Sequence, residues 1–263
     1  MNGTANINSM LWRKFWWETR WMFPACIGAL AVLCLMFVWR DYDAARWADR
    51  LLRDKDLGES ARMALNGYRG HTWSIWFKTL LTLVWAIYAV ILGAACHAFT
   101  CPYMPSHGAI AHFTLSLPIT RRKMLLSQVA LMYCALALIA LVPSLIVPPI
   151  ASLQGQWFSW KDAIIFSLLT TFGGAAFFGF AYLLSVLLGN WIKAFAIAEV
   201  AVFAFLWGLQ PTERRSWWHP YSIMAGESYF YDGRIPWLGL LISVTLAVVF
   251  VCAAIRIFEH RDL

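Results

Sequence analysis

Between Ile164 and Leu209 the chain reads IIFSLLTTFGGAAFFGFAYLLSVLLGNWIKAFAIAEVAVFAFLWGL, with Lys193 and Glu199 as its only charged residues. A helix needs about 20 mostly apolar residues to cross a hydrocarbon core. The stretch supplies two such segments, Ile164–Leu188 and Ile192–Leu209, parted only by Gly189, Asn190 and Trp191. So short a connection implies antiparallel neighbours, and a tight helical hairpin in lipid is expected.

Four more apolar segments lie outside this pair: Met22–Trp39, Trp76–Cys96, Met124–Val147 and Leu238–Ile257. The bulk composition agrees, with 61% of the 263 residues hydrophobic and 13% charged. A soluble domain carries about 25% charged residues. One globular core of this size has no room for so much apolar surface, so a bilayer must act as solvent. The expected fold class is an all-α integral membrane protein with six transmembrane helices, forming one domain over residues 1–263. A kink at Pro143 and an end at Pro148-Pro149 are expected in the third span, because proline removes a backbone donor and clashes with the preceding turn. The run Gly173, Gly174, Ala175 and Gly179 gives the fourth span a small face suited to close helix packing.

Residues 1–21 lack the short apolar core and cleavage site of a signal peptide. Over residues 9–22, Leu11, Trp12, Phe15, Trp16, Thr19 and Met22 share one helical arc, opposite Arg13, Lys14, Glu18 and Arg20. That pattern fits an amphipathic interfacial helix or an extension of the first span. Residues 40–72 form the longest hydrophilic loop; a helix is expected around Asp43–Asp56, with Asp49/Arg53 and Arg50/Asp54 paired at i,i+4. Residues 210–236 carry Trp217, Trp218, Tyr221, Tyr229, Phe230 and Tyr231, an interfacial or re-entrant aromatic cap.

The formal charge of +7 suits anionic headgroups better than nucleic acid, for which no motif is present. The six cysteines lie in or beside apolar spans, so no disulfide framework is expected. Cys96, His97, Cys101, His107 and His112 have spacings that match no zinc pattern, and no metal site is assigned. No GxxxxGK[ST] loop occurs, so the chain has no nucleotide-hydrolysing site of this kind. Glu199 is the one acid deep in an expected span. Lys193, six positions earlier and about 240° round the helix, is not its local partner. A substrate-pathway or gating group and a packing residue between helices are both open for it.

Ser106-His-Gly-Ala-Ile-Ala-His-Phe-Thr-Leu-Ser-Leu-Pro-Ile-Thr-Arg-Arg-Lys123 connects the second and third spans. Ser106 can cap a short helix that Pro118 ends, and Thr120 can cap the third span with Arg121, Arg122 and Lys123 at headgroup level. The segment LSLPITRRKMLLSQ, residues 115–128, resembles the loop between spans two and three in permeases of the type-2 ATP-binding-cassette exporter superfamily. The layout of the whole chain is similar as well. The resemblance implies a short cytoplasmic coupling helix at 107–117, within a coupling loop at 99–123, seated on a separate ATPase subunit. Its contacts would come from His107, Gly108, Ile110, Phe113, Leu117, Pro118, Thr120, Arg121 and Arg122. Upstream, His107, Gly108 and Ala109 depart from the acidic and basic-Gly-Thr residues common in the family.

The same resemblance implies a permease subunit that moves a substrate by alternating access, paired with a second permease chain. ATP and Mg would be bound by the partner ATPase, and no cofactor by this chain. Spans two and five would rearrange around a pathway to which Glu199, Asn190, Thr79 and Thr82 are assigned. The abundant Trp and Phe suit either an amphipathic cargo or lipid contact. The alternatives are a polytopic membrane enzyme acting on lipid and a membrane anchor for a signalling partner. Cytoplasmic placement of the coupling loop puts both termini inside, in a plasma membrane such as the bacterial inner membrane. The positive-inside rule leans the other way, because seven basic residues crowd the 40–72 loop.

Overall fold

A computed structural model describes residues 22–52, 78–98, 121–153, 159–208 and 219–260. Among the described residues the chain is helical and contains no strand. Three helical stretches, Arg122–Leu153, Trp160–Leu188 and Trp237–Glu259, are long and apolar enough to cross a membrane. The helices are α1 (Met22–Leu52), α2 (Lys78–Ala98), α3 (Arg121–Leu153), α4 (Trp160–Gly173), α5 (Ala175–Leu188), α6 (Trp191–Gly208), α7 (Pro220–Met224), α8 (Glu227–Asp232) and α9 (Trp237–Glu259).

Two boundaries differ from the sequence expectation. α1 runs unbroken past Trp39 to Leu52, merging the first apolar segment with the start of the helix expected around Asp43–Asp56. No glycine or proline lies between Gly28 and Leu52, so nothing in the backbone stops it. α3 continues through Pro143, Pro148 and Pro149 to Leu153. Pro143 and Pro148 are buried, and α1, α2 and α4 pack against the helix. Packing neighbours hold such a helix together where isolated propensity would end it.

α5 is the hub, with α2, α6 and α9 packed around it. Its Phe178, Tyr182, Ser185 and Val186 are buried together with Trp85 and Val90 of α2. Glycines set how close the neighbours come. A Cβ on Gly93 of α2 would run into the backbone carbonyl of Phe178, and one on Gly179 would lie 3.0 Å from the backbone of Ala247 in α9. The small face expected from sequence therefore serves close packing, as at membrane helix crossings generally. Ser185 Oγ donates to the Ala94 carbonyl at 2.8 Å and pins α5 to α2.

The expected hairpin is present between α5 and α6. Gly189 adopts φ 62°, the left-handed conformation that favours glycine, and its N–H returns to the Ser185 carbonyl at 3.0 Å. Asn190 Oδ1 then accepts the N–H groups of Ile192 and Lys193 at 3.0 and 3.2 Å, capping α6. The aliphatic surface left outside, including Leu241, Val248 and Val249 of α9, is exposed, as a lipid-facing stripe must be.

Gly93→Ala is expected to lower the thermal stability of the purified chain by about 1–3 kcal/mol, because the carbonyl it meets belongs to a rigid helix. Gly28, where an added Cβ meets nothing within 4 Å, is the control. Gly28→Ala should be neutral or raise stability by up to about 1 kcal/mol. Thermal unfolding of both variants in one detergent checks the pair, and equal effects would refute the close-approach account.

Candidate functional site

The backbone of the Trp160–Leu188 segment is interrupted at Gly174, between α4 and α5. Ser243 of α9 reaches the interruption. Its hydroxyl donates to the Gly173 carbonyl at 2.8 Å and accepts the Ala176 N–H at 3.4 Å. One side chain thus serves two backbone groups at the break, which lipid has no means of solvating. Tyr133 of α3 donates to the Thr171 carbonyl one turn earlier at 3.1 Å.

The short helices α7 and α8 cover the same region. Thr170 Oγ1 bonds both the Phe166 carbonyl (2.8 Å) and the Met224 carbonyl (3.2 Å). The Met224 side chain lies where a Cβ on Gly173 would sit, 2.7 Å from its Cγ. Phe230 packs tilted on Phe166 with centroids 6.4 Å apart, and Tyr229 donates to Asp162 Oδ1 at 3.0 Å. These contacts run from Asp162 at the start of α4 to Gly173 at its end. The described part of the expected aromatic cap is therefore docked along α4. Burial and then the Asp162 carboxylate push the Tyr229 hydroxyl above its ordinary value.

His219 precedes α7 and is buried, stacked 5.8 Å from Phe205 with an interplanar angle of 3°. Burial pushes its imidazole below the ordinary 6.5, since a desolvated ring resists charging.

Glu199 lies mid-way along α6, eight residues or about 12 Å from Trp191. Its carboxylate Oε2 is inaccessible and has no hydrogen-bond partner among the described residues, while the residue as a whole is half-buried. Asn190 is exposed and used as the α6 cap, more than a helical turn from Glu199. Thr79 and Thr82 fall on α2, but their side chains lie outside the described residues. α2 and α5 both pack against α6. Of the expected coupling positions, His107, Gly108, Ile110, Phe113, Leu117, Pro118 and Thr120 lie outside the described residues. So do residues 9–21 of the expected interfacial helix, whose last position, Met22, opens α1, and Cys101 and His112. Arg121 opens α3, and Arg122 beside it is exposed. Among the described residues, no three His, Cys, Asp or Glu side chains are grouped to hold a metal ion.

Sequence reasoning missed two polar residues. Ser243 gave no local signal, because its role depends on α9 lying against the glycine pair. Gln128 is 2% exposed, and neither amide atom has a hydrogen-bond partner among the described residues. Its signal was legible as the one side-chain amide inside the third apolar segment.

The fold thus has the character of a helical membrane protein. Comparison with known proteins adds no relative: no family model, no curated protein and no solved structure matches the chain.

The depressed His219 value has a stability consequence with a definite sign. The folded chain prefers the neutral ring, so no penalty applies above the ordinary 6.5, and stability falls as pH drops below it towards the folded value. The expected result is a wild-type melting temperature that declines relative to His219→Gln as pH falls below about 6.5. Parallel melting curves for the two proteins across that window would refute the buried neutral ring.

Proposed function

We propose that the chain is the membrane-spanning permease subunit of an ATP-driven exporter of the ATP-binding-cassette class. The observation that carries this reading is the run Leu117-Pro-Ile-Thr-Arg-Arg-Lys123, which leads directly into a long apolar helix. Such a run would suit a short surface helix and three cations where a soluble motor could push on a membrane span. The reading takes six spans, a cytoplasmic 99–123 loop and both termini inside a plasma membrane such as the bacterial inner membrane. Hydrolysis belongs to a separate ATPase subunit that holds ATP and Mg, and a second permease chain completes the pathway.

The chain's own contribution is mechanical. Closure of the ATPase pair moves the coupling loop, and α3 carries that displacement into α1, α2 and α4, against which it packs. The interruption at Gly174 gives the Trp160–Leu188 segment a place to bend, since helices flex where their ladder is broken. Differential binding of cargo to two such states is what couples transport to hydrolysis.

Affinity purification of the chain from its native membrane is expected to bring down a stoichiometric ATPase. In that complex, Leu117→Asp and Arg121→Glu should each lower cargo-dependent ATP turnover by about five- to a hundredfold, the usual range for coupling between sites. A preparation free of any ATPase, or full coupling in both variants, would overturn the proposal.

A further inference from the structure

Phe195, Glu199 and Phe203 are spaced at i, i+4 and i+8 on α6, so one phenylalanine stands a helical turn to either side of the acid. All three are half-buried, at the edge between the packed face of Ala194, Ala198 and Val202 and the exposed face of Ile192, Ala196 and Val200. They fall within an arc of about 80°. The site is thus open on one side and walled by protein on the other.

An acid at this depth usually finds a protein cation. Here the neighbours offer little. Among the described residues, α5 carries no charged residue, α2 carries Lys78 at its first position and His97 next to its last, and Lys193 of α6 lies on the exposed face. Glu199 Oε2 is inaccessible yet has no hydrogen-bond partner among the described residues. A buried carboxylate oxygen in this condition is costly, and positive charge held against the open side of the half-buried residue would relieve the cost. Aromatic faces flanking an acid attract an organic cation twice, through charge and through the ring quadrupole.

We propose that Phe195, Glu199 and Phe203 form a binding site for a hydrophobic organic cation, with Glu199 as counter-ion and the two rings as walls. A compact inorganic cation would leave the rings unused and lacks the oxygen ligands it needs. The cargo class that follows is an amphiphilic amine or onium compound entering from the bilayer; this step rests on the permease reading, whereas the binding site does not.

The test uses the full chain purified in detergent, with tetraphenylphosphonium as the cationic probe and triphenylphosphine oxide as the neutral one. Equilibrium dialysis should show saturable binding of the cation. Glu199→Gln should weaken it by about tenfold or more, corresponding to about 1.4 kcal/mol, while Glu199→Asp retains most of it. Phe195→Leu and Phe203→Leu should each weaken it about two- to fivefold. Neutral-probe binding should be the same in all the proteins. If Glu199→Gln fails to assemble, the two Phe variants carry the test. Equal cation affinity in wild type and Glu199→Gln, no effect of either Phe variant, or no saturable binding in wild type would each overturn the site. An ATPase that co-purifies while Glu199-dependent binding is absent sinks this site and spares the permease reading; Glu199-dependent binding in a chain without an ATPase does the reverse.

Discussion

Everything else in the bundle depends on how closely α5 is approached by its neighbours. Gly93 brings α2 against the Phe178 carbonyl, and Gly179 brings α5 against the backbone of Ala247 in α9. In lipid there is no hydrophobic gain in moving an apolar side chain from the bilayer to a protein interface, so tight van der Waals contact and interhelical hydrogen bonds must hold the helices together. Small residues permit the first. Ser185 to Ala94 and Ser243 to Gly173 supply the second, at 2.8 Å each. Bonds of this kind contribute about 0.6 kcal/mol on average, so they fix register more than they supply stability.

The same packing makes the interruption at Gly174 tolerable. A break in a lipid-embedded helix exposes backbone groups that only protein can satisfy. Ser243 satisfies two of them, and Met224 fills the space that the absent Gly173 side chain leaves. The docked α7–α8 segment and α9 are therefore joined to one point of the chain. A movement of either would be felt at the break, as the two packed arrangements of the proposed permease would require.

Much of this was legible in the sequence, and the reasons differ from element to element. The hairpin at Gly189-Asn190 could be read because both residues act locally, one as a left-handed terminator and the other as a cap. The glycine run of the fourth span announced close packing for the same local reason. What the sequence obscured was tertiary. Pro148 and Pro149 suggested an end to α3, but neighbouring helices carry it to Leu153. The hydrophilic turn at Trp39-Arg40 suggested an end to the first helix, although no backbone breaker stands there and α1 continues. Ser243 had no signal of its own, since its value lies in a helix far away in sequence. Glu199 was conspicuous from composition alone, yet its unpartnered oxygen required the packed structure to be seen. The proposed coupling loop stands on its sequence motif alone, for residues 99–120 lie outside the described residues.

In the proposed permease, a motor on the cytoplasmic side would engage the loop over residues 99–123. That requires residues 99–120 and the carboxyl terminus to share the cytoplasmic face, with residues 40–72 opposite, against the lean of the positive charges. The most direct measurement is impermeant maleimide labelling of single cysteines in intact cells, on a chain whose native cysteines are replaced by serine or alanine. Cysteines are placed at Ser106, Ser60 and Leu263. Labelling is expected at Ser60 in intact cells, and at Ser106 and Leu263 only after the membrane is opened. Labelling of Ser106 from outside would contradict it.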